Sequence, residues 1–329
     1  MEMEMQTRRL GNSDMAITRI GLGTWAIGGA GYAFGWGPQD DQDSIRTIEE
    51  AVGEGINWID TAPIYGLGHS ERIVGRAVAA MASKPYLFTK LGLQWDERKR
   101  ARQELIPAQV EQEIDASLER LGVDTVDLVQ IHWPIPQERI EDTWAEMCRV
   151  RDKGKVRWIG VSNFDDAQLK RIARRELPTS NQPPFNLLQQ HILDRTVPYC
   201  AEHSIGLIPY SPMLSGLLSD AFDRERIASL PDNDWRKRLP LLRGEALERF
   251  LSLLGRLKAL AADRGTSVAK LAIAWTLRFD AITGVIVGAR RPGQILETLG
   301  AAALELDDEF VRAIDQALDE YGNRKVGLY

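Results

Sequence analysis

Short apolar runs alternate with longer amphipathic stretches along the whole chain. The apolar runs are bounded by glycine, proline or polar residues, which is typical of parallel strands buried on both faces. On this pattern we predict eight strands, at residues 18–23, 57–61, 86–90, 126–132, 158–163, 179–182, 206–211 and 282–288.

Between these runs, apolar positions recur at the spacing of one helix face. Pro107 suits a first helical turn, and Gly122 suits the position just after a helix end. The pattern predicts helices at residues 41–54, 70–82, 107–121, 140–153 and 165–176, and a near-continuous helical stretch at 245–279 before the last strand.

Eight strands, each followed by a helix, predict an α/β protein with a (β/α)₈ TIM barrel. A doubly wound sheet is the competing arrangement. The alternation runs without a linker or composition break, which favours one barrel domain over residues 1–329. Polar side chains also collect at the carboxyl ends of the runs, where a barrel would bring them to one face. These residues are Asp60, Lys90, His132, Asn163, Gln182 and Tyr210.

Two segments depart from the alternating pattern: a glycine-rich stretch that follows the first strand, and a long segment at residues 213–244. Gly21, Gly23 and Ala26 match the spacing of a dinucleotide fingerprint, but that fingerprint requires a helix to begin at the turn. Here a further glycine-rich loop follows, so we do not predict a Rossmann fold. The segment 213–244 is too long for an ordinary connection, and such loops usually cover a site or are disordered.

The composition is that of a globular protein, with 44% apolar and 27% charged residues. The net charge of −6, from 41 basic and 47 acidic residues, argues against a nucleic-acid-binding protein. No apolar stretch reaches the ~20 residues that a membrane helix needs. The first residues lack the basic-then-apolar order of a signal peptide. We therefore expect neither nucleic acid nor membrane as a partner.

Cysteine and histidine are scarce. Cys148 and Cys200 lack metal-type spacing, and four histidines leave little for a zinc site. Two thiols in a chain of this size favour a reducing compartment without a disulfide framework. We expect a cytoplasmic protein without a metal.

Four of the strand-end and loop residues form a chemically coherent set: Asp60, Tyr65, Lys90 and His132. Each alone has an ordinary structural explanation, such as a turn cap or a snorkelling surface charge. Together they predict a general acid. A phenol, with a reference pKa near ~10, is a better acid beside an ammonium, and a buried ammonium needs a carboxylate. An imidazole can orient a carbonyl oxygen. Such a site suits carbonyl reduction by hydride transfer.

The sequence resembles the aldo-keto reductases over nearly its whole length, and among them the bacterial and plant branch near the potassium-channel β-subunits. The resemblance rests on the segments "GLGTW", "WIDTAPIYG", "FTK", "LGVDTVDLVQIHWP", "GKVRWIGVSNF", "IPYSPM" and "IVGARRPGQI". It implies that Asp60, Tyr65, Lys90 and His132 are the catalytic tetrad, with Tyr65 as proton donor and His132 as substrate orienter.

The same resemblance implies an extended NADP(H) across the barrel mouth. Ser162, Asn163 and Gln182 would hold the carboxamide, and Tyr210 would stack on the nicotinamide. Arg290 or Arg291 would pair with the 2′-phosphate, since a guanidinium suits a phosphate. The remaining implied cofactor contacts are Gly23, Thr24, Trp25, Asp60, Ser211, Leu214, Gly216, Gly288, Gln294 and Glu297. Thr298 stands where the family usually has Asn, and Phe185 where Tyr is common.

Substrate selection is expected from loops at the mouth. Aromatic residues there predict an apolar pocket that favours apolar or aromatic aldehydes, although each ring is equally suited to packing the loops. These are Trp25, Tyr32, Trp36, Trp95 and Trp133, and we expect Trp25, Tyr65, Trp95, His132 and Trp133 to contact the substrate.

The function predicted is NADPH-dependent reduction of an aldehyde or ketone, with a small carbonyl compound as partner. Two alternatives stay open. One is an oligomeric, cofactor-binding accessory protein like the channel β-subunits. The other is an alcohol or sugar dehydrogenase that uses NAD or NADP. The sequence makes no prediction of the oligomeric state.

Overall fold

The computed structural model describes residues 5–327, which contain a ring of eight parallel strands. Each strand pairs with its neighbours in sequence, and β8 pairs with β1. Parallel bridges from Leu207 to Ile282 and from Tyr210 to Ile286 close the ring between β7 and β8. The predicted (β/α)₈ barrel is therefore confirmed. Strands β1 to β8 are, in chain order, Ile20–Gly23, Trp58–Asp60, Tyr86–Leu91, Val126–Ile131, Val156–Ser162, Ser180–Gln182, Gly206–Leu207 and Val285–Gly288.

Helices surround the ring. Helices α1 to α11 are Asp41–Gly53, His69–Ala79, Val110–Leu121, Ile140–Asp152, Asp166–Ala173, Thr196–Glu202, Arg224–Ala228, Gly244–Asp263, Val268–Leu277, Leu296–Leu299 and Asp308–Tyr321. Short 3₁₀ turns lie at Trp25–Gly28, Pro107–Gln109, Gln137–Arg139, His191–Leu193, Trp235–Arg238, Pro240–Leu242 and Gly300–Ala303. After β1 comes a 3₁₀ turn and then loop, so the helix that a Rossmann fingerprint needs is not at that turn.

Several predicted elements were wrong in extent. The strands predicted at 206–211 and 282–288 are shorter, at Gly206–Leu207 and Val285–Gly288. The helical stretch predicted at 245–279 is two helices, α8 and α9. Gly265 adopts a left-handed φ of +61° after α8, and the Ser267 side chain accepts the amide hydrogen of Lys270 to cap α9. At the other end of the chain, Thr18 does not begin β1. It belongs to a separate N-terminal hairpin.

That hairpin pairs Thr7–Arg9 with Ala16–Thr18 and covers the amino-terminal end of the barrel. It contacts residues near the starts of two strands. Asp14 accepts the Trp158 indole hydrogen at 2.9 Å near the start of β5, and Asn12 accepts the Thr179 hydroxyl at 2.9 Å just before β6. Its apolar side chains join those inside the ring in one buried cluster. The cluster consists of Leu10, Met15, Ile17, Trp58, Phe88, Leu128, Ile208 and Ile286.

The carboxyl ends of the strands form the opposite face. Segment 213–244 follows β7, and its Trp235 stacks on Trp25 after the end of β1, at this face. The segment has secondary structure and is not an extended loop. It contains α7 and two 3₁₀ turns and buries apolar side chains. Among these are Leu214, Leu217, Leu218, Phe222, Trp235, Leu241 and Leu242. The N-terminal hairpin thus closes the amino end of the barrel, and segment 213–244 lies at the opposite, carboxyl end.

The tight interior predicts that Gly21→Ala destabilises the protein. A Cβ at Gly21 would lie 2.1 Å from the Trp58 ring, which is fully buried. Overpacking of this kind costs about 1–3 kcal/mol. The measurement is the free energy of unfolding by urea denaturation. As a matched control, Gly255→Ala on exposed helix surface should instead stabilise by about 0.5–1 kcal/mol. Equal effects of the two changes would contradict this interpretation of the interior.

Candidate active site

Three of the predicted catalytic residues meet at the carboxyl ends of β2 and β3. Asp60 is the last residue of β2, and Lys90 lies one residue before the end of β3. Lys90 Nζ is 2.6 Å from Asp60 Oδ2, and it also donates to the Thr61 carbonyl at 3.0 Å and the Tyr65 hydroxyl at 3.4 Å. The side chains of Lys90 and Asp60 are 0% and 3% exposed. A buried ion pair thus lies against the phenol.

The chain returns over the barrel mouth because the loop after β2 is tight. Gly66 has a left-handed φ of +64°, and a Cβ there would lie 2.3 Å from the Gly28 carbonyl oxygen. The Tyr65 carbonyl accepts the amide hydrogen of Ser70 at the start of α2. The Ser70 hydroxyl in turn contacts the hydroxyls of Thr24 and Thr61. These contacts fix the loop that carries Tyr65.

Burial sets the charge balance at Lys90. Burial lowers the pKa of this ammonium, and the carboxylates of Asp60 and Glu71 oppose that effect. Glu71 is fully buried on α2, accepts the Thr89 hydroxyl hydrogen at 2.7 Å and pairs with Arg120 at 2.5 Å. Sequence analysis did not predict this second pair. The one sequence signal was an acidic residue, Glu71, near the start of the helix predicted at residues 70–82.

His132 follows β4 and lies beside the phenol. Its ring is edge-on to the Tyr65 ring, with 5.9 Å between centroids. Burial, with a contribution from the Lys90 charge, places the pKa of His132 well below its usual value. The imidazole is therefore neutral at physiological pH, which suits a group that orients a carbonyl oxygen and does not suit the proton donor.

Amide and hydroxyl groups occupy the ends of the next strands. Gln182 Nε2 donates to Asp60 Oδ1 at 2.8 Å, and the Gln182 carbonyl accepts the Ser162 hydroxyl at 2.8 Å. Asn163, with a left-handed φ of +64°, donates to the His132 carbonyl at 2.9 Å. The Tyr210 hydroxyl donates to Asn163 Oδ1 at 3.0 Å. The structure therefore brings the four predicted nicotinamide contacts next to the tetrad.

Three of the implied cofactor contacts, Ser211, Leu214 and Gly216, lie in one irregular turn after β7. Positive φ angles occur at Ser211, Leu214, Ser215 and Gly216, with values of +55°, +51°, +55° and +82°. Within this turn the N–H groups of Leu214 and Gly216 donate to the carbonyls of Ser211 and Met213. Gly23 and Gly288 are register partners at the ends of β1 and β8, on the same face of the barrel.

Arg290 and Arg291 differ sharply. Arg290 donates to Gln39 Oε1 at 2.7 Å and to the carbonyls of Trp36 and Pro38 at 2.8 and 2.5 Å. Arg291 is exposed. Arg290 also donates its backbone N–H to Gln294 Oε1 at 3.1 Å, whereas Glu297 is exposed in the first turn of α10. The two arginines thus have different surroundings.

Trp25 is the centre of an aromatic cluster at the mouth. It stacks on Tyr65 with ring centroids 6.2 Å apart and on Trp235 at 5.2 Å, and Trp36 meets it edge-on at 5.4 Å. Arg236 lies over the Trp36 ring at 4.6 Å and forms a buried pair with Asp234. Trp235, Arg236 and Asp234 were missed because segment 213–244 has no repeating pattern that marks them.

The other predicted aromatics line or adjoin a cleft of about 380 Å³ beside the Tyr65 loop. Trp95 and Trp133 pack in one cluster with Tyr65. The cleft is less apolar than expected, because charged side chains of the hairpin formed by Leu93–Trp95 and Ala101–Gln103 contribute to it. Its lining residues are Ala30, Gly31, Tyr32, Gly66, Leu67, Trp95, Asp96, Glu97 and Lys99.

Within residues 5–327, no cluster of three or more His, Cys, Asp or Glu side chains is arranged to hold a metal ion. In the same part of the chain, no helix has both the length and the apolar character needed to cross a membrane. Both cysteines are buried free thiols, and burial raises the pKa of Cys200 to about 12. They therefore contribute no reactive thiolate to the site.

The chain was compared with known proteins. The family model described as "Aldo/keto reductase family" matches residues 19–319. The chain is 34% identical to aldo-keto reductase YhdN of Bacillus subtilis (strain 168), over 98% of this chain and 96% of that protein. It is 31% identical to the NADH-specific methylglyoxal reductase of Escherichia coli (strain K12), over 94% of this chain and 98% of that protein.

Two solved structures are similar. The glycerol dehydrogenase AKR11B4 from Gluconobacter oxydans has a TM-score of 0.87 and 36% identity, with 98% of each chain covered. The holo form of aldo-keto reductase AKR11C1 from Bacillus halodurans has a TM-score of 0.79 and 22% identity, with 99% of this chain and 98% of that chain covered. The second likeness concerns the fold alone.

The low pKa of His132 predicts a loss of stability in acid. In the unfolded chain a histidine titrates near ~6.5, so below that pH the unfolded state binds a proton that the folded state does not. Stability should fall by up to about 1.4 kcal/mol per pH unit from this group. Urea denaturation between pH 7.5 and 5 measures the slope, which should be shallower in His132→Gln. Parallel slopes would show that His132 is not the group responsible.

Proposed function

This chain belongs to the aldo/keto reductase family, and we propose that it is an NADPH-dependent reductase that converts an aldehyde or ketone to the alcohol. The observation that carries the proposal is the buried contact between Lys90, Asp60 and Tyr65, in which an ammonium lies 2.6 Å from a carboxylate and 3.4 Å from a phenol. A phenol in this environment is a suitable general acid for a carbonyl oxygen.

The proposed proton transfer follows from the surroundings of Tyr65. The ammonium of Lys90 stabilises the phenolate that remains after the proton leaves, and Asp60 keeps that ammonium charged despite its burial. The neutral imidazole of His132 orients the substrate oxygen toward the Tyr65 hydroxyl. Because the ion pair is buried, its field acts on the phenol with little screening by water.

The residues present fit a nicotinamide dinucleotide, which supplies the hydride when bound. Side-chain amides and a hydroxyl suited to a carboxamide stand at the ends of β5 and β6, and the Tyr210 ring adjoins them. We propose that the irregular turn at residues 211–216, which carries the Ser211 and Ser215 hydroxyls, lies against the pyrophosphate. We propose that Ser162, Asn163, Gln182 and Tyr210 hold the nicotinamide end.

Positive charge near Arg290 favours a 2′-phosphate, and hence NADPH. Burial lowers the pKa of Arg290, and the guanidinium groups of Arg236, Arg291 and Arg226 lower it further, against an opposing contribution from the Asp234 carboxylate. Arg290 already donates to three acceptors of the 36–39 segment, so we propose that it shapes this wall and that exposed Arg291 pairs with the phosphate. A relative of 31% identity is NADH-specific, so the surroundings of Arg291 are where we expect the two cofactors to be distinguished.

Oxidation of an alcohol is the second candidate, since the similar structure with 36% identity is a glycerol dehydrogenase. In that direction Tyr65 would accept the proton instead of donating it. The polar part of the cleft, with Asp96, Glu97 and Lys99, suits a hydroxylated substrate better than the wholly aromatic wall expected from sequence. Rates with glycerol and NADP⁺, against rates with an aldehyde and NADPH, decide the direction.

The two buried, reduced thiols are compatible with the cytoplasmic location that we propose.

The proton-donor role predicts that Tyr65→Phe lowers kcat roughly 10²–10⁴-fold, the usual contribution of a positioned general acid. The dissociation constant for NADPH should change little, because only a hydroxyl is removed. Steady-state oxidation of NADPH with an aromatic aldehyde and fluorescence titration provide the two values. Tyr86→Phe is the matched control, because Tyr86 lies at the amino end of the strand that carries Lys90. Undiminished turnover in Tyr65→Phe would exclude the assignment.

The phosphate assignment predicts a selective change in cofactor affinity. Arg291→Gln should weaken NADPH binding roughly tenfold, the order expected for one charge-assisted hydrogen bond, and leave NADH binding unchanged. Arg290→Gln should weaken both cofactors, since it releases the 36–39 segment. Calorimetric titration of each variant with each cofactor tests this. Equal NADPH and NADH affinities that neither change affects would remove the argument for NADP.

A further inference from the structure

Gln182 joins two parts of the site that are distant in sequence. It ends β6, and its side chain reaches across the barrel mouth to Asp60 at the end of β2, with 2.8 Å between Nε2 and Oδ1. The other carboxylate oxygen, Oδ2, is the one that Lys90 contacts. Gln182 is 2% exposed, so the contact is shielded from water. Both oxygens of a buried carboxylate therefore accept a hydrogen bond.

The chemistry of the pair fixes the orientation of the Gln182 amide. An ionised carboxylate only accepts hydrogen bonds, so the atom that faces Asp60 must be the amide NH₂. The amide oxygen then points away from Asp60. The Gln182 backbone is held independently, because its carbonyl accepts the Ser162 hydroxyl and the Asn163 N–H. The side chain therefore has a fixed base and a fixed orientation.

The position of Asp60 matters because it acts through Lys90. Every charged or titratable group against the ammonium affects it: Asp60 and Glu71 support its charge, and the neutral His132 and the Tyr65 phenol adjoin it. Glu71 is itself neutralised by Arg120. Asp60 is the partner at 2.6 Å, so a rotation of its carboxylate would weaken the strongest support of the Lys90 charge.

We propose that Gln182 is a positioning residue for the proton donor, in addition to the cofactor contact that the proposed function gives it. Its NH₂ group fixes the rotamer of Asp60, which holds Lys90 against Tyr65. Its amide oxygen, which cannot face the Asp60 carboxylate, is the atom that we propose contacts the cofactor carboxamide. One side chain thereby connects hydride delivery with proton delivery. The contact with the cofactor carboxamide rests on the proposed function, whereas the contact with Asp60 does not.

The test uses the full-length protein without cofactor, so that it does not depend on turnover. Phenolate formation by Tyr65 is followed by ultraviolet difference absorbance against pH, with Tyr65→Phe subtracted in each background. Gln182→Met keeps the approximate volume and removes the donor. In this variant the Tyr65 phenolate should form at a pH higher by about one unit, because a displaced Asp60 supports the Lys90 ammonium less well.

Gln182→Leu is the second variant, and it covers the case in which Gln182→Met fails to fold. It also removes the donor to Asp60 and adds no charge, so it should shift the Tyr65 phenolate in the same direction. Gln190→Met is the matched control, since this buried glutamine donates to the Leu187 carbonyl and not to Asp60. Its titration should match that of the wild type.

Kinetics of the loaded enzyme supply the second measurement. In Gln182→Met, kcat should fall at least tenfold while the dissociation constant for NADPH rises only a few-fold. An unchanged Tyr65 titration in both Gln182 variants, with a large loss of NADPH affinity, would overturn the proposal and leave Gln182 as a cofactor ligand only. A wild type that reduces no carbonyl compound would instead remove the proposed function, and the cofactor-free titration would still decide the role of Gln182.

Discussion

The site depends on one buried ion pair, between Lys90 and Asp60. Taking an ammonium and a carboxylate out of water is costly, and the attraction between them offsets that cost only when the geometry is good and further hydrogen bonds complete it. Here the Thr61 carbonyl and the Gln182 amide supply those hydrogen bonds. Loss of either charged partner would leave an uncompensated charge in the interior, at about 3–5 kcal/mol. A neutral substitute could fill the space but would not acidify the phenol.

The barrel is what makes this arrangement possible. Asp60 and Lys90 come from adjacent parallel strands, His132 follows the next strand, and Gln182 reaches across from the far side of the ring. Asp60, Lys90 and Gln182 are strand residues, and the His132 N–H, just after β4, donates to the Leu91 carbonyl of β3. Tyr65 lies farther from the sheet, on the loop after β2. That loop is tied to the 3₁₀ turn at Trp25–Gly28 by the close approach of Gly66 to Gly28 and by hydroxyl contacts among Thr24, Thr61 and Ser70.

The barrel and the four tetrad positions could be predicted from the sequence because they depend on local signals. A parallel strand that ends in Asp60 or Lys90 shows an apolar run with a polar last residue, and the family motifs mark the same places. Contacts between distant segments left no such signal. The stacking of Trp235 on Trp25, the Glu71–Arg120 pair and the three acceptors of Arg290 depend on how loops meet in space. The break between α8 and α9 was readable in "RGTS", where a glycine precedes a capping serine, but the helical period on both sides concealed it.

The N-terminal hairpin has a consequence for the way in which molecules reach the site. Leu10, Met15 and Ile17 close the amino end of the ring, and Trp58, Phe88 and Leu128 fill its interior. Substrate and cofactor must therefore reach and leave the site from the face of the barrel at which β1 to β8 end.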